Sequence, residues 1–267
     1  MTRSNHHPGH GARPRAMARI DPREAALVAV LLALAGGSWI STATRMNGMD
    51  MGRWTDPGPP AFFLTTWVIM LAAMMCPSVA PMVVAYVRIH RRRKSGRYAP
   101  YGCTAVFVAG YLAAWTLFGT AAYVLYVSAA ALFPGFLASE PGGRYLAAGV
   151  VLAAAAYQLT GAKDICLMKC RTPVDFILHR MRHGYFRALR MGAEHGAWCV
   201  GCCWALMVAL FPLGMMNVGW MALVGAFIAA EKMLPWKRLA SRSVAAAPAA
   251  AALAIALVPA PMPAIAG

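Results

Sequence analysis

Charge is what this sequence has least of. Only 13% of its residues are Asp, Glu, Lys or Arg, and just nine of those are acidic. A soluble domain carries roughly a quarter charged residues, so a fold that faces water on all sides is excluded. No G-x-x-x-x-G-K-[ST] phosphate loop occurs, which argues against an ATP-driven pump unless a partner supplies the nucleotide site. No small-x-small cleavage site follows the first apolar run, and Gly36, Gly37 and Trp39 interrupt its centre. That run is therefore not read as a secretory signal. No hydrolase, kinase or nucleic-acid signature is present.

What remains is apolar: 60% of the chain. Stretches free of Asp, Glu, Lys and Arg run over 25–44, 57–87, 98–139, 145–162, 195–230 and 243–267. A bilayer core needs roughly 20 apolar residues per helix. Pro212, Gly214 and Asn217 offer a turn inside the long fifth stretch. The expected spans are 25–43, 61–87, 103–130, 145–162, 196–213, 218–234 and 245–263. The last is Ala-rich and interrupted by Pro248, so its insertion is open. The predicted fold is all-α: a polytopic transmembrane helical bundle of about seven spans. It forms one domain over 24–263, preceded by a disordered basic tail over 1–23.

The net charge of +16 does not indicate nucleic acid, because of where it lies. Alternate loops, 1–23, 88–97, 163–190 and 232–242, hold 22 of the 25 Lys and Arg, leaving Arg45, Arg53 and Arg144. This is the positive-inside pattern, with a cytoplasmic N-terminus and basic loops facing the bilayer's inner leaflet. Residues 174–192 mix basic and apolar side chains and are expected to lie along the interface as an amphipathic helix.

The informative residues are the soft ones, seven Cys and 18 Met. Arg45-Met46-Asn47-Gly48-Met49-Asp50-Met51 reads as an external loop whose three thioethers have no core to fill. Thioethers and thiolates select Cu(I), so Met46, Met49 and Met51 are candidates for capture. In the second span Met70, Met74, Pro77, Ser78 and Pro81 share a helical face, and a proline frees a carbonyl and bends the helix. Met70 and Met74 would line a route there.

The densest signal is thiol. Cys166 and Cys170 are four apart, and His195, Cys199, Cys202 and Cys203 stand at i, i+4, i+7 and i+8. On a helix of 3.6 residues per turn these four occupy an arc of about 100°. Gly196 and Gly201 would let a neighbouring helix approach closely. Five thiols and an imidazole could converge on the cytoplasmic side, where disulfides are disfavoured. Met75, Cys76, Met207 and Glu231 are subsidiary candidates. Glu231-Lys232 closes the sixth span, and His179 and His183 lie four apart in the interfacial stretch.

Met74-Met75-Cys76-Pro77-Ser78, Cys166-x-x-x-Cys170, and His195-Gly-x-x-Cys199-x-Gly-Cys202-Cys203-Trp204-x-Leu-Met207, with Glu231-Lys232 downstream, resemble a bacterial family. That family is described as predicted metal-binding integral membrane proteins with a domain of unknown function. The resemblance covers about 61–235. It implies metal binding in a bacterial inner membrane, and the family commonly has Leu where Cys76 stands. The resulting expectation is a binding protein rather than an enzyme. It would hold, and move or deliver, a transition metal, Cu(I) first and Zn second. A metallochaperone or membrane-complex partner is implied besides the lipid. Two alternatives stay open: a membrane thiol-disulfide oxidoreductase, and an accessory metal-binding subunit of a larger complex.

Overall fold

The structure is a computed structural model that describes residues 21–46, 57–92, 100–133, 140–172, 176–177, 184–214, 217–233 and 237–257. Among these residues the chain forms eight helices: α1 (Pro22–Met46), α2 (Pro60–Arg92), α3 (Pro100–Leu132), α4 (Glu140–Tyr157), α5 (Gly161–Arg171), α6 (Tyr185–Gly214), α7 (Val218–Met233) and α8 (Lys237–Leu257). The all-α bundle is as expected.

Local chemistry sets the ends. Asp21 precedes Pro22 and accepts from the Arg23 amide at 3.0 Å, a capping arrangement that suits proline in the first turn. That amide and the Arg91 guanidinium at 2.8 Å hold the Asp21 carboxyl below the usual carboxylate range. Gly214 ends α6 at φ 93°, a left-handed conformation that a side chain resists. Three residues on, Asn217 caps α7 by accepting from the Trp220 amide at 3.1 Å. The turn expected around Pro212, Gly214 and Asn217 is therefore present, although the helix continues through Pro212. α2 likewise runs unbroken through Pro77 and Pro81.

Four helices are long and apolar enough to cross a bilayer: α1, α2, α3 and α6. A fifth span results if α4 and α5, bent by 63° at their break, count as one. The seven-span expectation is thus met only in part. α7 has 16 residues, a length of about 24 Å against a hydrocarbon core of about 30 Å. The apolar part of the last helix is confined to Ala245–Leu257. The fourth expected span, 145–162, breaks after Tyr157. The reason is local: Thr160 leaves the helix at φ −82°, ψ 146° and its hydroxyl starts a new one by accepting from the Lys163 amide.

The expected interfacial helix over 174–192 is also corrected. Residues 185–192 are the opening turns of α6, because Gly192 is a contact point and not a break. A Cβ at Gly192 would lie 1.9 Å from the Phe107 carbonyl oxygen, and one at Gly110 would lie 2.1 Å from that of Leu189. α3 and α6 therefore run side by side in the same direction with their backbones touching, a small-residue packing typical of membrane helices. Trp67 keys α2 to α3 by donating to the Trp115 carbonyl at 3.2 Å. Arg88 and Arg91 of α2 reach back to Glu24 and Asp21 at the start of α1. α4 and α8 form a second, smaller core with Ala205, Ala209 and Leu213 of α6.

The close backbone contact predicts that Gly192→Ala lowers stability by about 1–3 kcal/mol through overpacking. Gly149→Ala, at a site with nothing within 4 Å, should be neutral or stabilising. Thermal unfolding in detergent checks this; equal melting temperatures for the two variants would contradict the α3–α6 contact.

Candidate metal centre

α6 is 11 residues longer at its start than the expected 196–213 span, and this moves the thiols. Cys199 lies 14 residues from Tyr185 and 15 from Gly214, at the middle of the helix and not at its entry. His195, Cys199, Cys202 and Cys203 all face inward, at 4%, 1%, 1% and 1% exposure. The helical spacing thus places all four on the buried side, while Trp204 turns outward against Tyr157.

Three sulfurs meet. The Sγ atoms of Cys170, Cys199 and Cys202 lie within 4.8 Å of one another, and Cys170 and Cys202 are 3.9 Å apart. A metal–thiolate bond of about 2.3 Å places the corners of a trigonal three-sulfur site about 4.0 Å apart. The triad therefore has the size of a three-coordinate soft-metal site. Tetrahedral zinc wants four ligands, and this group of thiols supplies three among the described residues, which suits Cu(I). α5 delivers Cys170 because its 63° bend turns it back across α6.

The remaining candidates divide clearly. Cys203 is buried on the same helix outside the three-sulfur group, and its thiol, like that of Cys202, donates to the Cys199 carbonyl, at 3.0 and 3.1 Å. Cys166 sits over Gly201, where an added Cβ would lie 2.7 Å from its sulfur. The close approach predicted for Gly201 admits this thiol, and Gly196 admits α3, with the Tyr111 carbonyl 2.9 Å from an added Cβ. His195 is outside the triad, enclosed by the rings of Phe107, Tyr111 and Phe176 at 6.1, 6.0 and 5.6 Å. Its buried Nδ1 has no hydrogen-bond partner among the described residues. Met70, Met74 and Met207 are core residues at 1%, 3% and 0% exposure. Cys76 is half-buried.

Two candidates are relocated. Met46 is the last residue of α1, buried at 3%. It is not in an external loop, since α1 runs on to include it. Met49 and Met51 lie outside the described residues, as do His179 and His183. Glu231 does not face the thiols; its carboxylate pairs with Lys163.

Sequence reasoning missed Tyr111, named Lys232 only within the Glu231-Lys232 pair, and kept Met75 as a subsidiary candidate. Lys232 Nζ lies 3.0 Å from Cys199 Sγ, 3.2 Å from Ser78 Oγ and 3.9 Å from Met75 Sδ. An ammonium there compensates the charge of a thiolate. Tyr111 Oη is 3.2 Å from the same sulfur. Met75, ranked below Met70 and Met74 by helical face, is the methionine brought to the edge of this group. The Glu231-Lys232 pair at a helix end was a readable signal for Lys232. Tyr111 had none.

A helical bundle with three buried or half-buried thiols this close together carries a group that could hold a metal ion. The family profile described as PpoB2: Copper chaperone matches residues 64–255, and the chain belongs to this family. No curated protein and no solved structure matches it.

The 3.9 Å approach predicts that mild oxidation with diamide joins Cys170 to Cys202, linking α5 to α6. Mass spectrometry of the digested protein checks the pairing. Cross-linking through Cys103 or Cys76 instead would contradict the assembled triad.

Proposed function

We propose that this chain is an integral membrane protein that binds Cu(I) as cargo at Cys170, Cys199 and Cys202 and hands it on. The observation that carries the reading is the convergence of three sulfurs within 4.8 Å in a member of a copper chaperone family. Soft thiolates hold Cu(I) in preference to harder ions, with Zn(II) the next candidate. His195, through its buried Nδ1, and Met75, at the edge of the triad, are the groups best placed to exchange the ion with it.

The proposed route begins at thioethers, with Met49 and Met51 collecting the ion and the buried Met46, Met70 and Met74 following on α1 and α2. It ends at the thiolates, whose stronger binding favours movement toward them. The domain is read as a single membrane bundle over 24–263 with its N-terminus in the cytoplasm, and a metallochaperone or a membrane-complex partner would receive the ion through the half-buried Cys170. Cys166 and Cys203 flank the triad as further thiols along the exit.

Elemental mass spectrometry of the detergent-purified protein tests the reading. Near-stoichiometric copper is expected in the parent and in Cys103→Ser. Cys199→Ser or Cys202→Ser should weaken copper binding by more than the roughly 10–100-fold that loss of an outer partner costs. Parent protein free of copper after purification from copper-supplemented cells would overturn it.

A further inference from the structure

The shorter of the two thiol-bearing helices packs on α6 along a narrow face, with Cys166 seated over Gly201 and Cys170 against Cys202. α5 has 11 residues and buries only Lys163 and Leu167, while Ile165 and Met168 stand exposed. Hydrophobic burial alone is a thin anchor for so short a segment. Polar ties at both ends add to that face. Lys163, 0% exposed, donates to Glu231 of α7 and to Gln158 at the α4–α5 break. At the other end of α5, Arg171 donates to the Lys232 carbonyl at 3.4 Å. Lys163 and Cys170 are seven residues apart, two turns, and so lie on one face of α5.

Glu231 and Lys232 are adjacent, yet they point to different helices. Glu231 meets Lys163 on α5, and Lys232 meets Cys199 on α6 at 3.0 Å. The end of α7 therefore touches both carriers of the triad. A buried carboxylate facing a buried ammonium is strongly directional, because either charge left alone in an apolar bundle is costly.

We infer that the Lys163–Glu231 pair is a latch that positions Cys170 and so sets the coordination number of the copper site. Lys163 and Glu231 are positioning residues: they touch no ligand and act through α5. With the latch closed, Cys170 joins Cys199 and Cys202 and the ion has three sulfurs. With it open, α5 swings at the 158–160 break and α6 alone offers two. The inference rests on the copper-binding reading for its ligand and on the geometry alone for the latch.

The test uses the full-length protein and the double substitution Lys163→Met/Glu231→Met, which replaces the pair with apolar residues of similar volume. X-ray absorption at the copper edge should show sulfur neighbours falling from three to two, and diamide cross-linking of Cys170 to Cys202 should slow about tenfold, as expected for a locally opened segment. The exchanged pair Lys163→Glu/Glu231→Lys should restore both. Three sulfurs and unchanged cross-linking in the double variant would overturn the latch while leaving copper binding intact. If the parent holds no copper, the functional reading fails and the cross-linking comparison alone decides the latch. Should the double variant not accumulate, Glu231→Gln is measured by the same two readouts with the same expected direction.

Discussion

A sulfur buried at the middle of α6 can carry charge only with a cation at hand, and Cys199, with the sulfurs of Cys170 and Cys202 within 4.8 Å, organises what surrounds it. Thiolates in an apolar bundle repel one another and pay for lost hydration. Lys232 answers the first demand at 3.0 Å from Cys199, and Tyr111 adds a hydroxyl at 3.2 Å. Three sulfurs within 4.8 Å of one another could also hold a soft cation there. Lys232 reaches the sulfurs from the last turn of α7, a helix end at that depth.

Helix lengths provide that end. α6 is the long central element, and α4 and α7 both stop beside its middle: Tyr157 donates to the Gly201 carbonyl at 2.6 Å, and Lys232 reaches Cys199. α6 and α7 form a hairpin about Gly214–Asn217, and Cys199 and Lys232 each lie 15 residues from it, counted from Gly214 and from Asn217. The polar residues that a bundle interior excludes, Lys163, Glu231 and Gln158, collect where these two helices stop. The glycine-mediated contact of α3 with α6 then closes the far side, bringing Tyr111 and Phe107 against His195 and Cys199.

Much of this was legible in the residues. The all-α bundle followed from charge-free runs, and the i, i+4, i+7, i+8 spacing did place His195, Cys199, Cys202 and Cys203 together. What failed was anything that depended on depth. Hydropathy marks an apolar stretch but not where a helix begins, so the start of α6 was put at 196 and the thiols at its mouth. The break at Thr160 was hidden because the surrounding residues are apolar, and capping by one threonine decided it. Met46 was assigned to a loop by its polar neighbours, although the helix runs on to include it. The membership of the triad depended on α5 folding back, which no spacing within a single helix encodes.

The modest length of α7 carries a consequence for how this site can vary. Its residues act as a ruler from the Asn217 cap to Glu231 and Lys232. Adding or removing one residue along it would turn both side chains by about 100° and shift them by about 1.5 Å. Lys232 would leave Cys199 and Glu231 would leave Lys163 together. Substitutions along α7 can be absorbed one at a time, but a change in its count cannot, so insertions and deletions should be confined to the connections beyond its ends.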